Sequence, residues 1–265
     1  MSEPLFQVRN MHLSLPDRAR KRIFGRAPKI EILKDLNFDI HQREVLGIVG
    51  GSGSGKSTTG RALVRLLKPT QGSVTFDGKD ITHLGAVPLK PLRRRFKMIF
   101  QDPLSSLNPR HSVARLIGGP LKLDGFADVN GRVEDALGQV GLPQEFMGRY
   151  PHEMSGGQRQ RIGIARAIAS RPDFILADEI VSGLDVSNQA QILNLLENLV
   201  LDLDLTLAFV SHDLSVIRRL CHRVMVMNQG EIVEIGAVDK VFEAPQHSYT
   251  RELLDAIPLP DPDQD

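Results

Sequence analysis

Residues 45 to 67 read VLGIVGGSGSGKSTTGRALVRLL, and this stretch decides the fold. The first five residues form a continuous apolar run, which is typical of a strand buried on both faces of a parallel sheet. The segment from Gly50 fits the pattern G-x-x-x-x-G-K-[ST], and a helix is predicted from Thr58 to Leu67. Glycines let backbone N–H groups approach phosphate oxygens, the helix start favours an anion, and Lys56 adds a positive charge. The stretch therefore predicts a phosphate-binding loop between a buried strand and a helix.

The rest of the chain supplies further elements of an α/β core. Apolar runs at 174–177 and 205–210 predict two more strands buried on both faces. Alternating apolar residues near Leu5 and again from Leu36 to Ile40 predict antiparallel strands beside the core, and 223–235 reads as a β-hairpin. Apolar spacing typical of a helix occurs at 192–199, and again at 133–140 within a stretch that has few strand features. The sequence therefore predicts a helical insertion between core strands.

Polar residues follow four predicted strands, one of them the apolar triplet at 98–100, at the edge of the sheet where ligands of open α/β proteins bind. Asp178 can hold Mg²⁺, and the Ser57 hydroxyl of the loop can do the same. Neighbouring strand residues point in opposite directions, so we expect Glu179 to orient and deprotonate an attacking water instead. His212 could reach a γ-phosphate, and Gln101 is a further candidate ligand for Mg²⁺.

Composition excludes several classes of protein. Lysine and arginine total 33 against 32 acidic residues, so the charge gives no case for a nucleic-acid partner. The single cysteine, Cys221, cannot form an internal disulfide and favours a reducing compartment. The N-terminal residues do not resemble a secretory signal, and no stretch approaches the length and apolarity of a membrane span. Any membrane role is therefore expected to depend on partner chains.

A second glycine-rich helix start, MSGGQRQR at 154–161, lies more than a hundred residues after the first. Ser155 followed three residues later by Gln158 fits a capping box. Capping does not require Gly156 and Gly157, each of which costs a helix about 1 kcal/mol relative to alanine. We expect these glycines to expose the backbone to a ligand, although the first loop already surrounds its own nucleotide.

At this point the chain resembles the ATP-binding subunits of ABC transporters. Their signature, usually LSGGQ, matches Met154 to Gln158 with one conservative change. In that family the signature of one subunit covers the ATP held by the phosphate loop of the other. The resemblance therefore implies a head-to-tail dimer that encloses two ATP molecules with Mg²⁺, and the second glycine-rich turn would serve the partner's ATP.

The resemblance also assigns roles position by position. The ATP-binding loop would comprise Gly50, Ser52, Gly53, Ser54, Gly55, Lys56, Ser57 and Thr58. The catalytic residues would be Glu179, His212, Lys56 and Gln101, and the metal ligands would be Ser57, Gln101 and Asp178. The residues facing the partner's ATP would be Ser155, Gly156, Gly157 and Gln158, and the D-loop would contain Ser182 and Asp185.

The sequence departs from the family pattern at two positions near the expected base. Ile180 stands where proline is usual, and Gly183 stands where alanine is common. Both changes reshape a turn, and we expect an altered hydrolysis rate or coupling rather than inactivity. The aromatic residue that stacks on adenine is not obvious, and Phe24 is the candidate.

Several longer stretches resemble the dipeptide, oligopeptide and nickel importer branch, among them FQDPLSSLNPR (100–110) and APQHSYTRELLDAIP (244–258). This resemblance implies two transmembrane permease subunits and an extracytoplasmic solute-binding protein. The NPR triplet (108–110) favours a second, non-identical ATP-binding subunit. The expected location is the cytoplasmic face of the inner membrane, reached through those partners.

The expected fold class is α/β, a P-loop NTPase of the ABC type with a mixed-sheet core, an antiparallel β subdomain and a helical subdomain insertion. The ATPase domain is expected to span 1–258, with the core and β layer at about 1–101 and 166–243. The helical subdomain is expected at about 102–165, the C-terminal motif at about 244–258, and a flexible acidic tail at 259–265.

Alternative functions remain open at this point. An accessory ABC ATPase of phosphonate breakdown would share these motifs but dock on soluble enzymes. A DNA-repair ATPase is disfavoured because no long heptad region interrupts the core. A small-molecule kinase or GTPase would leave the glycine-rich turn at Ser155 unexplained.

Overall fold

The computed structural model describes residues 4–17, 28–101 and 106–256. These residues divide into two compact units. Within those ranges, the P-loop unit comprises residues 4–17, 28–40, 45–82 and 210–256, and the signature unit comprises residues 41–44, 83–101 and 106–209.

Ten strands and nine α-helices occur within the described ranges. The strands are β1 (Pro4–Pro16), β2 (Lys29–His41), β3 (Val45–Val49), β4 (Gln71–Phe76), β5 (Lys79–Asp80), β6 (Phe96–Ile99), β7 (Phe174–Asp178), β8 (Thr206–Val210), β9 (Arg223–Asn228) and β10 (Glu231–Ala237). The helices are α1 (Lys56–Leu63), α2 (Ala86–Leu89), α3 (Val113–Leu123), α4 (Val129–Gln139), α5 (Gly156–Ile168), α6 (Val186–Asp202), α7 (Leu214–Leu220), α8 (Val238–Glu243) and α9 (Ser248–Asp255). Short 3-10 helices occupy Leu92–Arg94, Gln144–Gly148 and Pro151–Glu153.

The P-loop unit contains an outer β layer with the strand order β2-β1-β4-β5. Strands β1 and β4 are antiparallel and place Phe6 opposite Phe76, and their rings lie 4.8 Å apart between centroids. Both rings are fully buried. The alternation predicted from Leu36 to Ile40 is confirmed in β2, where Leu36, Phe38 and Ile40 are buried and the residues between them are not.

The same unit contains three strands of the core sheet in the order β10-β9-β3. Strand β3 pairs with β9 in parallel and is buried throughout, as its apolar run predicts. Strands β9 and β10 form the predicted hairpin. Its two turn residues, Gln229 and Gly230, both have positive φ values, 48° and 86°. Two-residue hairpin turns favour this geometry because its twist matches that of the strands.

The signature unit contains the strands β8, β7 and β6 in that order, with β6 and β7 parallel. Every residue of β7 and β8 is buried, which confirms both predicted buried strands. Helices α3, α4 and α5 pack on one another. The predicted helix at 133–140 lies in α4, where Val133, Ala136 and Leu137 are buried.

The first helix differs from its prediction at both ends. Helix α1 begins at Lys56, two residues before the predicted start, and ends at Leu63. Arg65 has a φ of 55°, which a helix cannot continue, and its Nε donates a hydrogen bond to the Ile81 carbonyl at 2.8 Å. The predicted helix continued to Leu67 because Leu66 and Leu67 are both apolar, but Leu66 is 52% exposed. A left-handed residue at Arg65, with backbone bonds from its N–H to the Ala62 carbonyl and from the Leu66 N–H to the Arg61 carbonyl, thus ends this helix where the apolar pattern alone would have continued it.

Candidate functional site

The glycines of the first loop are required by the conformation of this chain. Gly50, Gly53 and Gly55 have φ values of 147°, 75° and 103°, a region that side chains strongly disfavour. A Cβ on Gly50 would lie 2.1 Å from the Met227 carbonyl oxygen, and one on Gly55 would lie 2.8 Å from Leu33 Cδ2. The loop is therefore pressed against β9, and larger residues at these positions would displace it.

The loop also presents donors that suit an anion. Gly55 is the N-cap of α1 and has no side chain to accept the first N–H groups of the helix. Lys56 is buried, and its Nζ donates hydrogen bonds of 2.8 Å to the carbonyls of Gly50 and Gly51. The Ser54 hydroxyl is buried and has no hydrogen-bond partner among the described residues. An uncapped helix start, a fixed ammonium and an unpaired hydroxyl together fit a bound phosphate.

The other predicted residues of this loop lie where the pattern places them. Ser52 and Gly53 are exposed at the tip, and Ser57 and Thr58 are half-buried in the first turn of α1. His212 belongs to the same unit and is exposed, two residues after β8 ends at Val210.

The carboxylates of the signature unit occupy the end of β7. Asp178 is its last residue and is 2% exposed. Glu179 has already left the strand, with a φ of 51°. Strand alternation therefore does not set the direction of the Glu179 side chain, because a left-handed residue after the strand sets it instead. Such backbone strain in a residue other than glycine costs about 1–3 kcal/mol and concentrates at functional sites.

Two neighbours hold Glu179 in this conformation. The Gln101 Nε2 donates a hydrogen bond of 2.9 Å to Glu179 Oε2. The hydroxyl of Ser182 donates one of 2.7 Å to the Glu179 carbonyl oxygen. Because the amide nitrogen of Gln101 faces the carboxylate, its amide oxygen is the atom that suits a metal ion. The structure thus brings together three residues that the sequence singled out separately.

The signature turn has the predicted capping box. Ser155 Oγ accepts a hydrogen bond from the Gln158 backbone N–H at 3.3 Å, and Gln158 Oε1 accepts one from the Ser155 N–H at 3.0 Å. Ser155 and Gly156 are exposed. A Cβ on Gly156 would have nothing within 4 Å, whereas one on Gly157 would lie 2.7 Å from Asn188 Oδ1. Only Gly156 therefore leaves open space beside the start of the helix.

The D-loop lies next to this turn. Asp185 caps α6 by accepting the Asn188 N–H at 2.9 Å, and it also accepts a bond from Asn188 Nδ2 at 2.6 Å. These two donors hold the pKa of Asp185 below its usual value. The same Asn188 side chain fills the space left by Gly157. Gly183, which departs from the family pattern, has a φ of 76°, so its turn takes a conformation that alanine would strain.

Sequence reasoning missed two residues of these surroundings, Asn188 and Tyr249. The hydroxyl of Tyr249 accepts a hydrogen bond from the Gly51 N–H at 2.8 Å, across 198 positions of the chain. The tyrosine belongs to the stretch 244–258, which resembles the importer branch, but no local pattern in that stretch connects it to the phosphate loop. The predicted adenine-stacking residue, Phe24, lies outside the described residues.

The donors predicted for Mg²⁺ are a hydroxyl, an amide and a carboxylate, all hard oxygen ligands that suit this ion. No group of three or more His, Cys, Asp or Glu side chains able to hold a metal occurs among residues 4–17, 28–101 and 106–256. The predicted set does not depend on such a group, because it contains a single carboxylate. None of the helices within those ranges is long and apolar enough to cross a membrane.

Two known protein families match the chain. The ABC transporter family matches residues 33–182, and the oligopeptide/dipeptide transporter C-terminal region matches residues 233–265. A putative peptide import ATP-binding protein of Brucella ovis is 48% identical over 263 residues, which cover 98% of this chain and 80% of that protein. The glutathione import ATP-binding protein GsiA of Salmonella typhi is 48% identical over 264 residues, but these cover only 42% of that protein.

Solved structures show the same architecture. A dimeric post-hydrolysis state of the ATP-binding cassette MJ0796, bound to ADP and Pi, has a TM-score of 0.75 and 29% identity, covering 88% of this chain and 98% of that one. CbiO1 of Clostridium perfringens, part of an ABC transporter complex, has a TM-score of 0.77 and 26% identity, covering 92% of each chain. The expected fold class is confirmed, and the chain belongs to the ABC transporter family as an ATP-binding cassette ATPase.

Proposed function

We propose that this chain is the ATP-binding and ATP-hydrolysing subunit that energises a membrane importer for peptides or a related small solute. The observation that carries the proposal is the presence in one chain of an ABC cassette and an oligopeptide/dipeptide transporter C-terminal region. Relatives named as peptide import ATP-binding proteins, at 48% identity across nearly the whole chain, support it.

The phosphate loop would hold the triphosphate of ATP. The backbone N–H groups from Ser52 to Thr58 and the ammonium of Lys56 would neutralise its oxygens. Ser57, Gln101 and Asp178 would hold Mg²⁺ through their oxygen atoms. The chemistry that the ion supplies there is neutralisation of charge on the phosphates. Phe24 remains the proposed partner of the adenine ring.

Glu179 would act as the general base. Its carboxylate takes a proton from the attacking water while the water oxygen bonds to the γ-phosphorus and the bond to the β-phosphate oxygen breaks, releasing ADP. The hydrogen bond from Gln101 to Glu179 Oε2 orients the carboxylate. His212 would contact the γ-phosphate. Ser182, which fixes the Glu179 backbone, would link this step to the D-loop.

The signature turn would complete the site of a second ATP-binding subunit. The open space beside Gly156 lets a phosphate of the partner's ATP approach the backbone of Ser155 to Gln158. The dimeric MJ0796 cassette bound to ADP and Pi supports this arrangement. ATP would thus hold two subunits together, and hydrolysis would release them. The sequence favours a partner subunit that is not identical, and Asp185 would lie in the same interface.

The membrane partners would be two transmembrane permease subunits, with an extracytoplasmic solute-binding protein that delivers the solute. A groove of about 390 Å³ in the signature unit would receive a permease segment. Its lining includes Phe100, which is 40% exposed, together with Met98 and Pro120. Phe100 directly precedes Gln101 in the chain. Movement of a docked permease segment against Phe100 would therefore be passed directly to Gln101 in the ATP site. The subunit would act at the cytoplasmic face of the inner membrane.

The accessory role in a soluble enzyme complex is not favoured. The relatives that match almost the whole chain are named import ATP-binding proteins. An affinity purification from membranes would distinguish the two, since permease subunits are expected to be retained and soluble phosphonate enzymes are not.

The central test is a trapped dimer. In the Glu179→Gln variant we expect hydrolysis to fall by roughly 100-fold or more, because the base is lost, while ATP binding persists. With MgATP, the companion ATP-binding subunit and a mild oxidant, a cysteine placed at the Ser155 turn should form a disulfide with a cysteine placed in the partner's phosphate loop. Adding Ser155→Arg to Glu179→Gln should prevent dimer formation in size-exclusion chromatography. Absence of any ATP-dependent contact between chains would contradict the proposal.

A further inference from the structure

The C-terminal segment contacts the phosphate loop directly. The Gly51 backbone N–H donates a hydrogen bond of 2.8 Å to the Tyr249 hydroxyl. The approach is close, because a Cβ on Gly51 would lie 3.0 Å from the same oxygen. Gly51 and Tyr249 are both half-buried. The contact therefore satisfies a loop N–H that is partly shielded from water.

The segment of the phosphate loop that Tyr249 contacts also positions Lys56. The carbonyls of Gly50 and Gly51 each accept a hydrogen bond of 2.8 Å from Lys56 Nζ. The Tyr249 hydroxyl thus fixes Gly51 by its N–H while Gly51 holds the ammonium by its carbonyl. A shift of this segment would move the charge that is aimed at the phosphates.

Tyr249 is itself held by a chain of hydrogen bonds that starts in the core sheet. Glu234 on β10 accepts the backbone N–H groups of Gln246 at 2.9 Å and His247 at 3.1 Å. His247 Nδ1 then accepts the Tyr249 N–H at 3.1 Å, which caps α9. Burial opposes ionisation of Glu234, but the donated N–H groups, together with the nearby Thr250 and His247 side chains, outweigh it and hold its pKa below the usual value. The carboxylate is therefore charged at neutral pH and anchors the segment.

We infer that Tyr249 is a positioning residue for ATP binding, which presets the phosphate loop and Lys56 through the Gly51 N–H. The inference rests on the proposed function, because it assigns a role within the same ATP site. It also gives the C-terminal region a task within this chain. The competing explanation is that the hydroxyl only helps α9 to dock on the fold.

The experiment measures the affinity of the full chain for a fluorescent ATP analogue, together with kcat and KM for hydrolysis and the melting temperature. We expect Tyr249→Phe to raise the Kd and the KM about five- to tenfold, the range of one hydrogen bond lost to a shielded N–H, with kcat within twofold. Tyr150→Phe is the matched control, since Tyr150 is the other of the two tyrosines and lies in the signature unit. Its Kd should be unchanged.

A double-mutant cycle separates positioning from docking. Gly51→Ala crowds the hydroxyl and should raise the Kd several-fold, but in the Tyr249→Phe background it should add little, because the crowded oxygen is gone. Equal Kd values for wild type and Tyr249→Phe, or fully additive losses in the double variant, would overturn the inference. If Tyr249→Phe lowers only the melting temperature, docking is the correct explanation. If the wild-type chain binds no nucleotide, the proposed function itself fails.

Discussion

Two glycine-rich helix starts, the phosphate loop and the signature turn, look alike in sequence but differ in what requires their glycines. Gly50, Gly53 and Gly55 all have positive φ, and a side chain on Gly50 would collide with the backbone of β9. Gly156 has an ordinary backbone conformation and open space where its side chain would be. The first loop needs its glycines in order to fold, and the signature turn does not need Gly156 for that purpose.

This difference supports the proposal that the signature turn serves a nucleotide bound by another subunit. A glycine at a helix start costs stability, so one that the chain's own packing does not require calls for another explanation. Gly157 has a local reason, because Asn188 fills the space that its side chain would occupy. Gly156 has no such neighbour, and the proposed approach of the partner's nucleotide would account for it.

The largest expected contrast is between two variants: Lys56→Ala, which removes a charge from the phosphate loop, and Ser155→Arg, which blocks access to the signature turn. Lys56→Ala should weaken ATP binding by about 100-fold or more, since it removes a buried ammonium from a phosphate site. Ser155→Arg should leave ATP binding by the isolated chain unchanged, yet reduce hydrolysis to background. Isothermal titration and a phosphate-release assay measure the two effects.

The control for the second change is Ser155→Ala, which removes the same helix cap without adding bulk. It should cost about 1 kcal/mol of stability and keep much of the hydrolysis. Comparable loss of hydrolysis in both variants would mean that the cap, and not access to the turn, explains the effect. Weakened ATP binding in Ser155→Arg would erase the contrast between the two glycine-rich sites.

Smaller effects on stability and hydrolysis are expected when a glycine-to-alanine change adds one methyl group to the phosphate loop or to the signature turn. Gly50→Ala should destabilise the fold by about 1–3 kcal/mol and impair ATP binding, because φ is unfavourable and the methyl group meets β9. Gly156→Ala should instead raise the unfolding free energy by about 0.4–1 kcal/mol while lowering hydrolysis. Chemical denaturation and steady-state hydrolysis test the pair.

Gly163→Ala provides the matched control within α5. A Cβ at that position also has nothing within 4 Å, so stability should rise by a similar amount while hydrolysis stays the same. If Gly156→Ala leaves hydrolysis intact as well, the open space at the turn has no ligand.

The smallest expected effect concerns pH. The N–H of Asn188 and its side chain lower the pKa of Asp185 below the usual 3.8. A lowered folded-state pKa means that the cap's contribution is fully present above pH 3.8 and is lost as pH falls through the folded value. The stability difference between wild type and Asp185→Ala should therefore shrink from pH 5 to pH 3. The α1 start has a glycine N-cap and offers no such titrating cap. A difference that stays constant with pH would show that capping at Asp185 does not depend on charge.

Local patterns predicted most of the elements because the forces that form them act over short distances along the chain. The buried strands β3, β7 and β8, the hairpin at Gly230 and the capping box at Ser155 follow from apolar runs, turn residues and spacing. The predicted end of α1 was wrong because Arg65 takes a left-handed conformation, and its side chain bonds to a carbonyl sixteen residues away. No periodicity in the helix itself contains that information.

The sequence by itself determined the phosphate loop, the family and the set of residues proposed to carry the chemistry, because each depends on residue type at fixed local spacing. Only the tertiary structure decided how those residues are held. Glu179 has a strained backbone and accepts a hydrogen bond from Gln101, which lies 78 residues away along the chain. Tyr249 contacts Gly51 across 198 residues. Such contacts form when separate elements pack together, and packing is a property of the whole fold and not of any short stretch.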